Sequence, residues 1–131
     1  MEKLQSVGKE QEICRNITEE MKKVIVGKDE QLRLLLICLL SKGHILIEDV
    51  PGVGKTTAAS ALDRASGLDC KRVQFTPDVM ATDISGFTAP DGKTGEFIYK
   101  PGVCMTNILI ADEINRTSPK TQSALLEVME E

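Results

Sequence analysis

Two short stretches of this sequence hold residue types whose spacing could do chemistry. The first is Pro51-Gly52-Val53-Gly54-Lys55-Thr56, and the second is Asp112-Glu113. In the first, Gly52 and Gly54 let the backbone curl so that successive N–H groups converge on an anion. A helix opening at Lys55 would aim its free N–H groups and its positive dipole end at the same anion. Lys55 adds a full charge beside the outer phosphates of a nucleotide, and the Thr56 hydroxyl can ligate a magnesium ion. Thr57 sits next to these groups, where it reads as a nucleotide contact or as an ordinary helix residue. The GxxxxGK[ST] pattern asks for Gly at position 49, and this chain has Asp49. Asp tolerates positive φ better than most residues, so the pattern is weakened without being broken.

The acidic pair follows four apolar residues, Ile108-Leu109-Ile110-Ala111, which read as a buried strand. In a parallel sheet the carboxyl ends of the strands lie along one edge, the edge on which a phosphate loop also sits. An Asp at that edge can hold the water shell of a magnesium ion, and a Glu beside it can orient and polarise an attacking water. Each motif alone has a plain structural reading, a Gly-rich turn or two solvated acids. Together they point to nucleotide chemistry.

Other elements must position these residues. Ile13, Ile17, Met21 and Val24 form one apolar stripe on a helix over about Glu10 to Ile25. A second helix is expected from Lys28 to Ser41, with Gly43 as the left-handed stop. His44-Ile45-Leu46-Ile47 reads as a buried strand leading into the phosphate loop, and His44 as structural filling. Lys55 to Ser66 is a helix whose alanines suit close packing on a sheet, and Gly67 ends it. Lys71 to Phe75 reads as a further strand. Residues 76–102 have no useful helical period; Asp91-Gly92 signals a hairpin, with Phe97-Ile98-Tyr99 as its return strand. Ser118 is an expected N-cap, with Pro119 at the first helical position and Leu125, Val128 and Met129 as the apolar stripe. Val26-Gly27, between the first two helices, could seat a nucleotide base. Asn115 and Arg116 could reach a phosphate or a neighbouring subunit, or be a solvated loop.

Composition narrows the function classes. The chain has 131 residues, the size of one domain, with 16 basic and 20 acidic residues and a net charge of −4. Neither an extended basic footprint nor a stacking platform for nucleic acid is expected, since aromatics are 3% and Trp is absent. The longest apolar run, Leu34 to Leu40, is too short for membrane insertion. Cys14, Cys38, Cys70 and Cys104 stand singly and fit reduced thiols of a cytoplasmic protein.

At this point the residues carry a resemblance. GHILIEDVPGVGKTT, QFTPDVMATDISGF, TGEFIYKPG and NILIADEINRTSPKTQSALLEVMEE together are similar to MoxR-type AAA+ ATPases, over Val26 to Glu131. The resemblance implies an α/β P-loop core of three layers with a parallel sheet, incomplete on its C-terminal side, plus a β-hairpin insertion over about residues 83–101. It implies an N-terminal helical segment at 1–27 and a partial nucleotide-binding core at 28–131. By analogy Lys55 and Thr56 belong to Walker A, and Asp112 and Glu113 to Walker B, while Val26-Gly27 matches the base segment. ATP and Mg2+ are the implied ligands, with Val26, Gly27 and residues 51–57 around the nucleotide, Thr56 and Asp112 on the metal, and Glu113 and Lys55 catalytic. The implied assembly is a homo-oligomeric, often hexameric ring, acting as a chaperone on client proteins that commonly carry a von Willebrand factor A domain. The family's fourth-strand sensor, arginine finger and lid sensor would lie beyond Glu131. The chain is therefore expected to be a piece of a longer domain, nearly inactive alone and, if stable, swapped or otherwise associated. A non-catalytic module presenting the insertion hairpin is the second reading, and a small phosphotransferase is disfavoured for want of an acceptor pocket.

Overall fold

The computed structural model describes residues 2–48 and 55–130, and the side chains of residues 7–48 and 58–130. Pro51, Gly52, Val53 and Gly54, expected to bind phosphate, lie outside the described residues. Contacts divide the chain into two compact units, Met1–Leu68 and Asp69–Glu131.

The first unit is helical. Helix α1 (Glu2–Val24) packs on α2 (Asp29–Leu40) and on α3 (Lys55–Ser66). The inward face of α1 differs from the expected stripe. Met21 is fully buried and Ile25 nearly so, whereas Ile13 is 57% and Val24 52% exposed. The half-buried Cys14, Ile17 and Thr18 complete a face at spacings of three and four. A one-residue rotation of the stripe is enough to bring Ile25 in and turn Val24 out. In α2, Leu32, Leu35 and Leu36 are buried, and in α3, Ala61 and Leu62.

The stop of α2 uses a different residue from the one expected. Lys42 takes the left-handed conformation at φ 53°. Its N–H donates to the Leu39 carbonyl at 3.2 Å, and the Gly43 N–H reaches back to Cys38 at 3.0 Å. This crossed pair satisfies carbonyls that the helix end would leave free. Helix α3 ends as expected, with Gly67 at φ 65°.

Residues 44–47 are not a strand, contrary to expectation. Ile45, Leu46 and Ile47 are 42%, 67% and 41% exposed, and His44 is exposed as well. A strand is held by hydrogen bonds to a neighbour, and the rest of this unit, among the described residues, is helical.

The second unit is α/β. Strands β1 (Cys70–Gln74) and β4 (Ile108–Asp112) pair in parallel, with Gln74 opposite Asp112. The Asp69 carbonyl accepts from Asn107 and Ile108 at one end of this ladder, and Phe75 N–H donates to Asp112 at 2.8 Å at the other. Val73, Leu109 and Ala111 pack on a core of Phe75, Ile84 and Leu125. Ile84 comes from α4 (Ala81–Ser85), a single turn that the residue pattern does not announce. It forms because the Asp83 carboxylate accepts the Met80 N–H at 2.8 Å.

An antiparallel hairpin of β2 (Gly86–Pro90) and β3 (Phe97–Pro101) follows α4, as the sequence suggests. Its turn is held by Asp91, whose carboxylate accepts from Lys93 N–H and the Thr94 hydroxyl. The left-handed glycine there is Gly95, at φ 72°. The base of the hairpin is tied to α4 by Val103 N–H to Asp83 O and by Cys104 N–H to Ile84 O, at 3.0 and 3.1 Å. A short 3-10 turn (Ile114–Arg116) leads from β4 to α5 (Pro119–Glu130). Ser118 caps α5 through the Thr121 N–H at 3.3 Å, as expected. The four cysteines are half-buried.

Candidate active site

Strand β4 delivers the acidic pair to the carboxyl end of the parallel ladder. Asp112 is the last residue of the strand, and Glu113 turns the chain with φ 57° and ψ 42°. A left-handed residue other than Gly is uncommon and strained, and such residues cluster at functional sites. The reversal also makes Glu113 the cap of the following turn, its carbonyl accepting Arg116 N–H at 3.0 Å. The Glu113 side chain is exposed and, among the described residues, has no hydrogen-bond partner.

The turn is held from behind by α5. The Gln122 amide donates to the Ile114 carbonyl at 3.0 Å and to Thr117 at 3.4 Å. The fully buried Thr121 donates its hydroxyl to the Val79 carbonyl at 2.8 Å, and Thr117 supports the same carbonyl at 3.4 Å. Asn115 and Arg116 lie on the exposed side of the turn.

Sequence reasoning missed Arg72. Its guanidinium donates to Asp112 Oδ2 at 2.7 Å, from β1 to β4. The signal was the alternation Cys70, Arg72, Gln74 around the inward Val73, which puts Arg72 on the same sheet face as Asp112. Among the described residues, Asp112 Oδ1 has no partner. A hard carboxylate oxygen free on one side suits magnesium, which takes one or two carboxylates and keeps much of its water. Asp112 thus leaves one carboxylate oxygen open to a cation; the Thr56 side chain lies outside the described residues.

The remaining expected site residues belong to the first unit. Val26 is 89% exposed between α1 and α2. Gly27 follows at φ 81°, a conformation that asks for glycine. Lys55, Thr56 and Thr57 form the first turn of α3, and their side chains lie outside the described residues. Asp112 and Glu113 are in the second unit. No helix among the described residues is long and apolar enough to cross a membrane.

A strand that ends at Asp112 with Glu113 next to it, and a helix that opens with Lys55-Thr56, are the pattern expected of the class of P-loop ATPases. The model of the ATPase family associated with various cellular activities (AAA) matches residues 44–131. The chain is 58% identical over 113 residues to the uncharacterized protein YeaC of Bacillus subtilis, covering 86% of this chain and 35% of that protein. It is 49% identical over 112 residues to the chaperone MoxR1 of Mycobacterium tuberculosis, covering 86% and 30%. A candidate ATPase from Cytophaga hutchinsonii, solved at 2.00 Å, superposes with a TM-score of 0.75 at 38% identity, over 99% of this chain and 41% of that one. The chain belongs to the MoxR-type AAA+ ATPases. It spans about a third of the length of the curated relatives it matches.

Proposed function

We propose that the protein binds ATP with magnesium and hydrolyses it within an assembled ring of like subunits. The observation that carries this reading is the placement of Asp112 and Glu113 at the carboxyl end of a parallel strand, with Glu113 exposed in a strained left-handed turn. Residues 28–131 form the nucleotide-binding part, with an insertion at about 83–101, and residues 1–27 a helical segment before it.

In this reading Gly52, Val53 and Gly54 wrap the phosphates with backbone N–H groups, Pro51, which has no N–H, shapes the turn that leads into them, and Lys55 pairs with the outer phosphates. Val26 and Gly27 offer backbone groups to the base, and Thr57 continues the contact along α3. Thr56 and Asp112 would hold the magnesium ion, which would supply neutralising charge for the phosphates. The Glu113 carboxylate orients the attacking water and draws off its proton. An arginine finger from a neighbouring subunit is worth about three to five orders of magnitude in rate, so this chain alone turns over very slowly. The relative from Mycobacterium tuberculosis is named a chaperone. That supports a chaperone role here; a cytoplasmic setting and clients that carry a von Willebrand factor A domain are what the family resemblance implies.

Nucleotide titration of paired variants tests this. Lys55→Ala should weaken ATP binding by about 1.5–3 kcal/mol, the worth of a charge-assisted contact. Glu113→Gln should keep binding and stop turnover in the assembled protein. Equal loss of binding in both would contradict the assigned roles.

A second reading rests on the hairpin, where Phe97 is 76% and Tyr99 53% exposed. It is a protein-interaction module that presents β2–β3 and needs no nucleotide. Unfolding temperatures unmoved by ATP and magnesium would favour it.

A further inference from the structure

Arg72 and Asp112 are the one cross-strand ion pair between β1 and β4 among the described residues. Gln74, not Arg72, stands opposite Asp112 in the register. The arginine therefore reaches diagonally along the sheet face to bond Oδ2 at 2.7 Å. The contact adds little to the ladder itself. Its two side chains are 46% and 30% exposed, and ion pairs this open contribute little to stability. The strands are already joined by their backbone bonds and by the apolar face carrying Val73, Leu109 and Ala111.

We propose that Arg72 is a positioning residue that acts as the resident counter-ion of Asp112 and so sets how strongly nucleotide binding depends on magnesium. This rests on the reading of Asp112 as a metal ligand. A guanidinium on Oδ2 and a divalent cation on Oδ1 would stand only a few ångströms apart and repel each other. Metal entry thus works against Arg72, which must swing out or be screened. In the absence of nucleotide phosphates, the fixed positive charge keeps Asp112 neutralised and disfavours a bare cation. Once phosphates add their negative charge, the balance turns towards the metal. Arg72 thereby offsets part of what the metal adds to nucleotide binding.

The experiment measures the affinity of the full protein for a non-hydrolysable ATP analogue, once with magnesium and once with a chelator. The ratio of the two affinities is the metal coupling, and it does not depend on turnover. Arg72→Gln should raise this ratio about two- to fivefold, the range expected from an exposed pair, with chelator affinity little changed. Arg72→Lys, which keeps the charge, should restore the wild-type ratio. Asp112→Asn should bring the ratio close to one, with or without Arg72. An unchanged or lowered ratio in Arg72→Gln, with Asp112→Asn still abolishing the metal effect, would overturn the role of Arg72 alone. A ratio that Asp112→Asn leaves intact would remove Asp112 from the metal and take both readings down.

Discussion

Replacing Glu113 by Gly should make the protein more stable while removing the carboxylate that the proposed reaction needs. The left-handed conformation at φ 57° costs an ordinary L-residue roughly 1–2 kcal/mol. Glycine escapes that cost but loses about 0.4–1 kcal/mol through the greater freedom of its unfolded chain. The net gain is about 0.8 kcal/mol on these figures, a rise of a few degrees in unfolding temperature for a chain of this size. The side chain subtracts nothing, because it is exposed and has no hydrogen-bond partner among the described residues. Glu113→Gln keeps the strained backbone and should leave stability within about 0.5 kcal/mol of the wild type. Lys42 offers a control, being left-handed at φ 53° at the end of α2 and exposed. Lys42→Gly should gain a similar amount without touching turnover. Urea unfolding of the three variants, alongside phosphate release in the assembled protein, reads both quantities. If Glu113→Gly proved less stable than Glu113→Gln while Lys42→Gly gained, the reasoning would fail. The carboxylate itself, and not the backbone, would then be what the fold uses at this position.

Thr121→Val keeps the shape of a fully buried side chain but leaves the Val79 carbonyl with only the long Thr117 contact. It should cost about 1–3 kcal/mol in chemical denaturation, and Thr121→Ser should recover most of the loss. Gly102→Ala would drive a Cβ into the Ile84 carbonyl and the Gly86 nitrogen. It should destabilise the protein by about 1–3 kcal/mol, whereas Gly92→Ala, which meets nothing within 4 Å, should be close to neutral. Burial pushes the Cys38 thiol above its ordinary value of 9.0. Alkylation followed by mass spectrometry at pH 8 should therefore label it more slowly than a peptide thiol. By the same linkage the folded state favours the protonated thiol, so its contribution to stability is present below the unfolded value and lost as pH climbs through the higher folded one.

Local patterns in the sequence determined much of this protein. Ser118 and Pro119 mark the start of α5, Gly67 the end of α3, and Asp91 the hairpin turn, because each acts through bonds to residues a few positions away. The apolar run before Asp112 likewise announces β4 and the acidic pair at its end. Other features depend on partners that periodicity cannot supply. Residues 44–47 have the composition of a strand, but a strand exists only where a neighbouring ladder receives it, and its unit is otherwise helical among the described residues. The turn α4 needs Asp83 to bond back to Met80, and its Ile84 needs Phe75 and Leu125 to be buried against. The face of α1 was set by what α2 and α3 bring to it, which favoured Ile25 over Val24. Arg72 meets Asp112 across 40 positions of chain. The sequence by itself therefore singled out the residues proposed to carry the chemistry, since that choice rests on residue type and near spacing. Only the tertiary structure decided which cation faces Asp112 and how the turn at Glu113 is held, because the first follows from parallel pairing of strands far apart in the chain and the second from α5 bonding to the turn from behind.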